Sequence, residues 1–167
     1  MSGYIFDTSV LSPLLDAEHS RHCDVQTAIR ALDQHSTKFV SAIVIAELAY
    51  GVRLAETVAG SASPHLQRTL TRAREYAVLG VTRHTSAAYA ELKANLSSQY
   101  LAKALRKDRP RWVEDWVDSA TGRKLQIDEN DLWICAQAKE RNLIVVTADR
   151  RMSRISNADC DIRLHMV

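Results

Sequence analysis

Short apolar runs separated by longer stretches of helical periodicity set the pattern of this chain. Tyr4-Ile5-Phe6 is a β-prone run that stops at Asp7. Over 8–16, Val10, Leu11, Leu14 and Leu15 fall at helical spacing, with Pro13 tolerable only in a first turn. Val25, Ala28, Ile29 and Leu32 mark a second helix over 23–33, Phe39-Val40 opens a strand, and a third helix runs from Ile43 to about Glu56. The Gly-Ser-Ala-Ser-Pro stretch at 60–64 is the clearest linker. Leu66, Leu70, Ala73 and Ala77 then predict a helix leading into a strand at 78–81, and 84–105 reads as one long helix. At 106–125 Pro110, Trp112, Trp116 and Gly122 break the pattern, as an inserted helix and loop on the surface would. Another helix starts at Asp128. Leu143-Ile144-Val145-Val146 is continuously apolar, which predicts a strand buried on both faces. A short helix follows Asp149, and Ile162-Arg163-Leu164 reads as a last strand.

Strands that alternate with helices predict an α/β sandwich with a parallel sheet. The chain of 167 residues is long enough for one domain, 1–167, with a core that needs no staples. Apolar residues make up 46% and charged residues 25%, which excludes a disordered chain. The formal net charge of +2 argues neither for nor against nucleic acid, so only the placement of charge is informative. Cys23, Cys135 and Cys160 are odd in number and form no Cys-x-x-Cys pair, the usage of a reducing compartment without zinc or a disulfide framework. The opening MSGYIFDTSV has no basic stretch followed by a long apolar run, and no run approaches the roughly 18 apolar residues of a membrane helix. The expectation is a cytoplasmic protein with no membrane partner.

In a parallel sheet, ligands bind outside the carboxyl ends of the strands. Asp7 ends the first strand, Asp149 follows the 143–146 strand, and Asp131 lies in the first turn of the helix leading into it. Glu47 lies in the helix after Phe39-Val40. Carboxylates gathered at one edge repel one another, so the arrangement makes sense with a cation between them. Hard oxygen donors suit Mg²⁺ or Mn²⁺, which can activate water and offset charge on a phosphodiester. A plainer account stands beside this one. Asp7 can cap the helix at Thr8, Asp149 the helix at Arg150, and Asp131 can close a capping box opened by Asp128. Glu47 resists it: its helical neighbours are Ile43, Val44, Tyr50 and Gly51, an apolar or crowded face where a carboxylate needs a partner.

Four segments, in order, carry a resemblance that covers about residues 4–155. They are Tyr4-Ile5-Phe6-Asp7-Thr8-Ser9, the stretch from Ser41 to Gly51 around Glu47, Asn130-Asp131-Leu132-Trp133-Ile134-Cys135-Ala136-Gln137-Ala138, and Ile144-Val145-Val146-Thr147-Ala148-Asp149. The chain resembles PIN-domain ribonucleases, and more narrowly the VapC-type toxins of bacterial toxin–antitoxin pairs. The resemblance implies a PIN-like three-layer sandwich, with a mostly parallel twisted sheet of four to five strands flanked by helices. It implies Mg²⁺- or Mn²⁺-dependent endonucleolytic cleavage of RNA, often tRNA or ribosomal RNA, with Asp7, Glu47, Asp131 and Asp149 as metal ligands. Thr147, with Ser9, would orient a carboxylate or a water, and Asn130 would do similar work or act as a plain cap. It also implies a homodimer and a cognate antitoxin that blocks the acidic pocket. Cys135 stands where Ala is common and Met152 where an aromatic is frequent, departures that touch packing rather than chemistry.

Basic residues cluster at Lys103, Arg106, Lys107, Arg109 and Arg111, at Arg68, Arg72 and Arg74, and at Arg150, Arg151 and Arg154 beyond Asp149. They can hold phosphates beside an acidic site or simply face water. Trp112 and Trp116 can stack on bases, or anchor the insertion on the domain or on a second subunit. A haloacid-dehalogenase-like phosphatase is excluded, because it needs an Asp where Ser9 stands. The alternative that stays open is a catalytically silent PIN-like module that binds RNA or protein.

Overall fold

The most apolar short runs of the sequence take the middle of the sheet. In the computed structural model, which describes residues 3–61, 63–102 and 109–167, β1 (Tyr4–Phe6) pairs with β2 (Lys38–Ser41) on one side and β4 (Ile144–Thr147) on the other. β3 (Ala77–Leu79) lies outside β2 and β5 (Arg163–Met166) outside β4, giving a five-stranded sheet of order β3-β2-β1-β4-β5 with every pairing parallel. Ile5, Phe6, Val145 and Val146 have no exposed surface, as strands covered on both faces require. Register matters most for the site. Phe6 is level with Val40 and with Val146, so Asp7, Ser41 and Thr147 arrive together at the carboxyl edge of the sheet.

Among the described residues seven helices cover the sheet: α1 (Thr8–Leu15), α2 (His22–Ala31), α3 (Ala42–Ala59), α4 (Pro64–Ala73), α5 (Arg83–Tyr100), α6 (Glu129–Arg141) and α7 (Ser153–Ala158). α1 packs against α2, α3 and α4, while α5 packs against α6 and α7. The resulting α/β sandwich is the class that the alternation of strand and helix predicts. Local chemistry fixes the ends of these helices. Ser41 accepts from Ile43 N at 2.9 Å to start α3. Gly60, at φ +70°, stops α3 in the left-handed region, which costs glycine little. Pro64 then stands in the first turn of α4, where its missing N–H is no loss.

Two expectations change. α1 begins at Thr8, so Pro13 falls in its second turn and leaves the Ser9 carbonyl without an intrahelical donor. The proline is buried, and packing holds the helix together there. The insertion is also less peripheral than a surface loop. Its described part, 109–125, carries one 3₁₀ turn (Val113–Asp115) and an antiparallel bridge between Val117 and Lys124. It sends Val113, Trp116 and Leu125 into the core, followed at once by Ile127. Lys103, Arg106 and Lys107 of the first basic cluster lie outside the described residues. Among the described residues no helix is long and apolar enough to cross a membrane.

Candidate active site at the carboxyl edge of the sheet

Asp7 is the first residue past β1 and is only 5% exposed. Its carboxylate is fully engaged. Oδ1 accepts from Thr8 N at 2.7 Å, the N-cap of α1. Oδ2 accepts from Ser9 Oγ at 2.6 Å and from Thr147 Oγ1 at 2.8 Å. Thr147, fully buried at the end of β4, in turn accepts from Asp149 N at 3.0 Å, and Ser9 Oγ accepts from Ala148 N at 3.0 Å. One hydroxyl pair therefore ties the end of β1 to the end of β4 and orients two acidic residues.

Asp131 both closes a helix cap and carries a strongly perturbed carboxyl. Asp128 Oδ1 accepts from Asp131 N at 2.9 Å and Asp131 Oδ2 accepts from Asp128 N at 3.0 Å, the reciprocal capping box of α6. Yet its carboxyl is pushed up to about 7. Burial is the largest cause, one backbone hydrogen bond opposes it, and the negative charges of Asp128, Asp7 and Asp149 add to it. Three of the four sequence-derived acids thus sit within electrostatic reach of one another.

Glu47 joins them through hydrogen bonds. Thr8 Oγ1 donates to its Oε2, and Asn130 Nδ2 donates to its Oε1 at 2.7 Å. The face it occupies is more open than the sequence suggests, because Tyr50 is exposed. What holds Glu47 is its two donors, one next to Asp7 and the other next to Asp131. Asp149 caps the 3₁₀ turn Arg150–Met152 and is gripped by the guanidinium of Arg151. Burial alone would raise its pKa, but the bonds from Arg151 outweigh that and hold it below the usual carboxylate range.

The donor chemistry fits a divalent cation: hard carboxylate oxygens, crowded enough that Asp131 resists ionisation. As they stand, though, no three His, Cys, Asp or Glu groups among the described residues converge as a closed ligand set. Both oxygens of Asp149 are taken by Arg151 and both of Glu47 by neutral donors. A cation therefore finds the acids near one another but has to compete for them.

The wall beside this site is built by the insertion. Glu129, first residue of α6, takes bonds from Lys93 and Tyr89 and from Val113 N at 3.3 Å, and its own N donates to Glu114 Oε1 at 3.1 Å. Trp116, 4% exposed, donates to Pro110 O at 3.0 Å and lies under Lys93, so it anchors the segment. Trp112 is 51% exposed, with Arg111 stacked 4.7 Å over its ring. Of the basic residues, Arg154 is tied to Leu125 O, Arg72 to Leu15 O at 2.8 Å and Arg109 to Ser97 Oγ, while Arg150 faces solvent. A cavity of about 290 Å³ between Leu15, Arg72, Glu75 and Tyr76 lies at the far end of α1 from Asp7, away from the acids. Sequence reasoning missed Thr8 and the grip of Arg151. A hydroxyl directly after the strand-end Asp was the available signal for the first.

The sequence matches the family described as PIN domain over residues 4–158. No curated protein matches the chain. Among solved structures it is similar to VapBC2 from Rickettsia felis bound to a DNA fragment from their promoter, with 21% identity, TM-score 0.64, and 98% of this chain and 97% of that chain covered. It is also similar to VapBC-5 from Mycobacterium tuberculosis, at 22% identity, TM-score 0.60 and full coverage of both chains, 100% and 100%. A third is VapC20 from Mycobacterium tuberculosis, a sarcin-ricin loop cleaving toxin, at 15% identity and TM-score 0.52 over 90% of this chain and 93% of that one.

Proposed function

The chain belongs to the PIN domain family, and from that premise we propose that it is a metal-dependent endoribonuclease of the VapC toxin type. Asp7, Glu47, Asp131 and Asp149 hold Mg²⁺ or Mn²⁺, and Thr147 with Ser9 keeps Asp7 in place. One observation carries the reading. Acids delivered by the ends of β1 and β4 and the start of α6 are close enough that burial and mutual repulsion push Asp131 up to about 7. Capping explains each acid singly but not the cost of crowding them, which a counter-charge would offset.

When bound, the ion supplies Lewis acidity for the phosphodiester and acidifies the attacking water. The chain does the rest. Ser9 and Thr147 fix the rotamer of Asp7 so that its carboxylate needs no reorganisation, and Thr8 with Asn130 does the same for Glu47. Asp131 would have to give up its proton to serve as a ligand, which a dication beside it would favour. Trp112 with Arg111, on the wall beside α6, and Arg150 beyond Asp149 offer a stacking surface and positive charge to RNA.

Structured RNA such as tRNA or ribosomal RNA is the expected substrate, in line with the sarcin-ricin loop cleaved by VapC20. The VapBC complexes among the similar structures support a cognate antitoxin as partner. Tyr50, Leu54 and Val58 form an exposed apolar stripe at four-residue spacing along α3, which suits burial against the antitoxin or a second copy of the chain.

The test compares wild type with Asp7→Asn on total cellular RNA in Mg²⁺, Mn²⁺ and chelator, with circular dichroism on both proteins. Discrete products are expected from wild type with either metal, and none from the variant or in chelator. Identical traces under every condition would overturn the catalytic reading in favour of a silent binding module.

A further inference from the structure

Arg151 holds the Asp149 carboxylate more completely than any other donor holds an acid of the site. Its Nε donates to Oδ1 at 2.7 Å and to Oδ2 at 2.8 Å, its Nη2 also donates to Oδ2, and its backbone N donates to Oδ1 at 2.8 Å. The side chains are unequally buried: that of Arg151 is 53% exposed and that of Asp149 only 16%. The guanidinium is therefore the more solvent-exposed partner of the pair and occupies both carboxylate oxygens. Because the backbone N–H bond and the N–H of Asp149 to Thr147 are independent of the guanidinium, Asp149 stays in place when the Arg151 side chain leaves.

We propose that Arg151 is a positioning residue with two alternative anionic partners: the Asp149 carboxylate when the acidic site holds no divalent cation, and an RNA phosphate when it does. The inference rests on the nuclease reading above and deepens it. A guanidinium forked onto Asp149 and a dication on the same oxygens cannot coexist, because both need the same lone pairs and repel each other. Metal loading displaces Arg151. The freed fork, flexible and at the edge of the site, then matches the geometry of a phosphate better than a lysine would. Loading of the metal and grip on the RNA become one coupled event, so the site does not hold RNA tightly until it is able to cut. The neighbouring Arg150 makes a natural control, being exposed and without a carboxylate partner among the described residues.

The experiment titrates Mn²⁺ calorimetrically into the metal-free full chain, without RNA, as wild type, Arg151→Ala and Arg150→Ala. Loss of a charge-assisted competitor should tighten Mn²⁺ binding about tenfold in Arg151→Ala, and loss of a mere neighbouring charge by less than about twofold in Arg150→Ala. Equal tightening in both variants, or none in Arg151→Ala, overturns the proposal while leaving the metal site standing. Absence of Mn²⁺ binding in all three proteins overturns the metal site and the proposal together. A second arm measures binding of total tRNA in chelator and in Ca²⁺. Arg151→Ala should weaken it roughly fivefold in Ca²⁺ and hardly at all in chelator, where Asp149 already occupies the side chain. A loss of equal size in both conditions overturns the exchange of partners.

Discussion

The two ends of α6 hold carboxylates under opposite rules. At its start Asp131 is half-buried among Asp7, Asp128 and Asp149, and its pKa rises to about 7. Eight residues later, about 12 Å along the axis, Lys139 stands inside a closed ion-pair cluster: 2.7 Å from Asp159, 3.0 Å from Glu91 and 3.3 Å from Asp161. Burial alone would raise Asp159, but the bonds from Lys139, Asp161 N and Asn95 bring it below the usual range. Lys139, disfavoured by burial, is pushed up by its acidic partners. The buried acid of this cluster, Asp159, has a cation in direct contact, while Glu91 and Asp161 are exposed and screened by water. At the start of α6 the half-buried Asp131 has no cation in contact among the described residues, and that is the deficit the proposed divalent ion would offset. Counting buried acids would not separate the two; asking what neutralises each one does.

Substitutions at the two ends should therefore split activity from stability. Asp131→Asn is expected to lower RNA cleavage by about 10³-fold, the scale of losing a group that stabilises developing charge, while the metal-free protein melts no lower than wild type. Comparable cleavage by this variant would remove Asp131 from the metal site. Lys139→Met should do the reverse. Leaving Asp159 buried without its cation costs about 3 kcal/mol of stability, read from urea unfolding, with cleavage by the folded fraction unchanged within roughly twofold. If Lys139→Met instead lost activity at full stability, the cluster at this end would no longer be a brace.

Much of this contrast was legible in the sequence at one end and little at the other. Asp7, Asp131 and Asp149 stand out because strand ends and helix starts can be read from apolar runs, and a parallel sheet puts those ends on one edge. The plainer reading of them was also right, since each does cap a helix or turn. The Lys139 cluster was invisible, because Asp159 is twenty residues away and its burial depends on how α7 meets α5 and α6. The grip of Arg151 on Asp149 has a spacing of two, which helical periodicity does not flag, and it falls on a 3₁₀ turn rather than a strand. The insertion misled for a related reason. Broken periodicity looks like surface loop, yet Val113, Trp116 and Leu125 are buried by contacts that no local pattern encodes. Trp112 and Trp116 were indistinguishable in sequence, and the structure alone parts the exposed ring from the anchored one.

The pH dependence gives a smaller but sharper reading of the same contrast. Asp131 carries a native pKa of about 7 against roughly 3.9 in an unfolded chain. Between those values the native state holds a proton that unfolding releases, so rising pH favours unfolding. Its stabilisation is complete below about pH 4 and is lost as pH rises through 7, by about 2 kcal/mol after solvent screening of a half-buried group. Asp159, held low, acts in the opposite sense and outside this window: its contribution is present above about pH 4 and falls away in stronger acid. Thermal melts of metal-free wild type should therefore decline from pH 4.5 to 7.5 relative to Asp131→Asn. Parallel melting curves for the two proteins would mean that burial and neighbouring charge together perturb Asp131 far less than its placement implies.

The smallest expected effect concerns the link between the two halves of the acidic site. Thr8 Oγ1 donates to Glu47 from the first turn of α1, immediately after Asp7, so one residue couples the carboxylate of β1 to that of α3. Thr8→Val keeps the shape and the backbone N–H that bonds to Asp7, and removes only the hydroxyl. Glu47 then has Asn130 alone to fix it. Loss of one hydrogen bond to a charged group, partly replaced by water, is worth about 1 kcal/mol, or roughly a fivefold fall in cleavage rate. The melting temperature should stay within about 2 °C of wild type. Thr8→Ser should restore the rate, since it returns the oxygen without the methyl group. If Thr8→Val cleaves as fast as wild type, Glu47 either needs no second donor or takes no part in catalysis. Asn130→Ala then separates those two cases, because only in the first does removing the remaining donor slow the reaction.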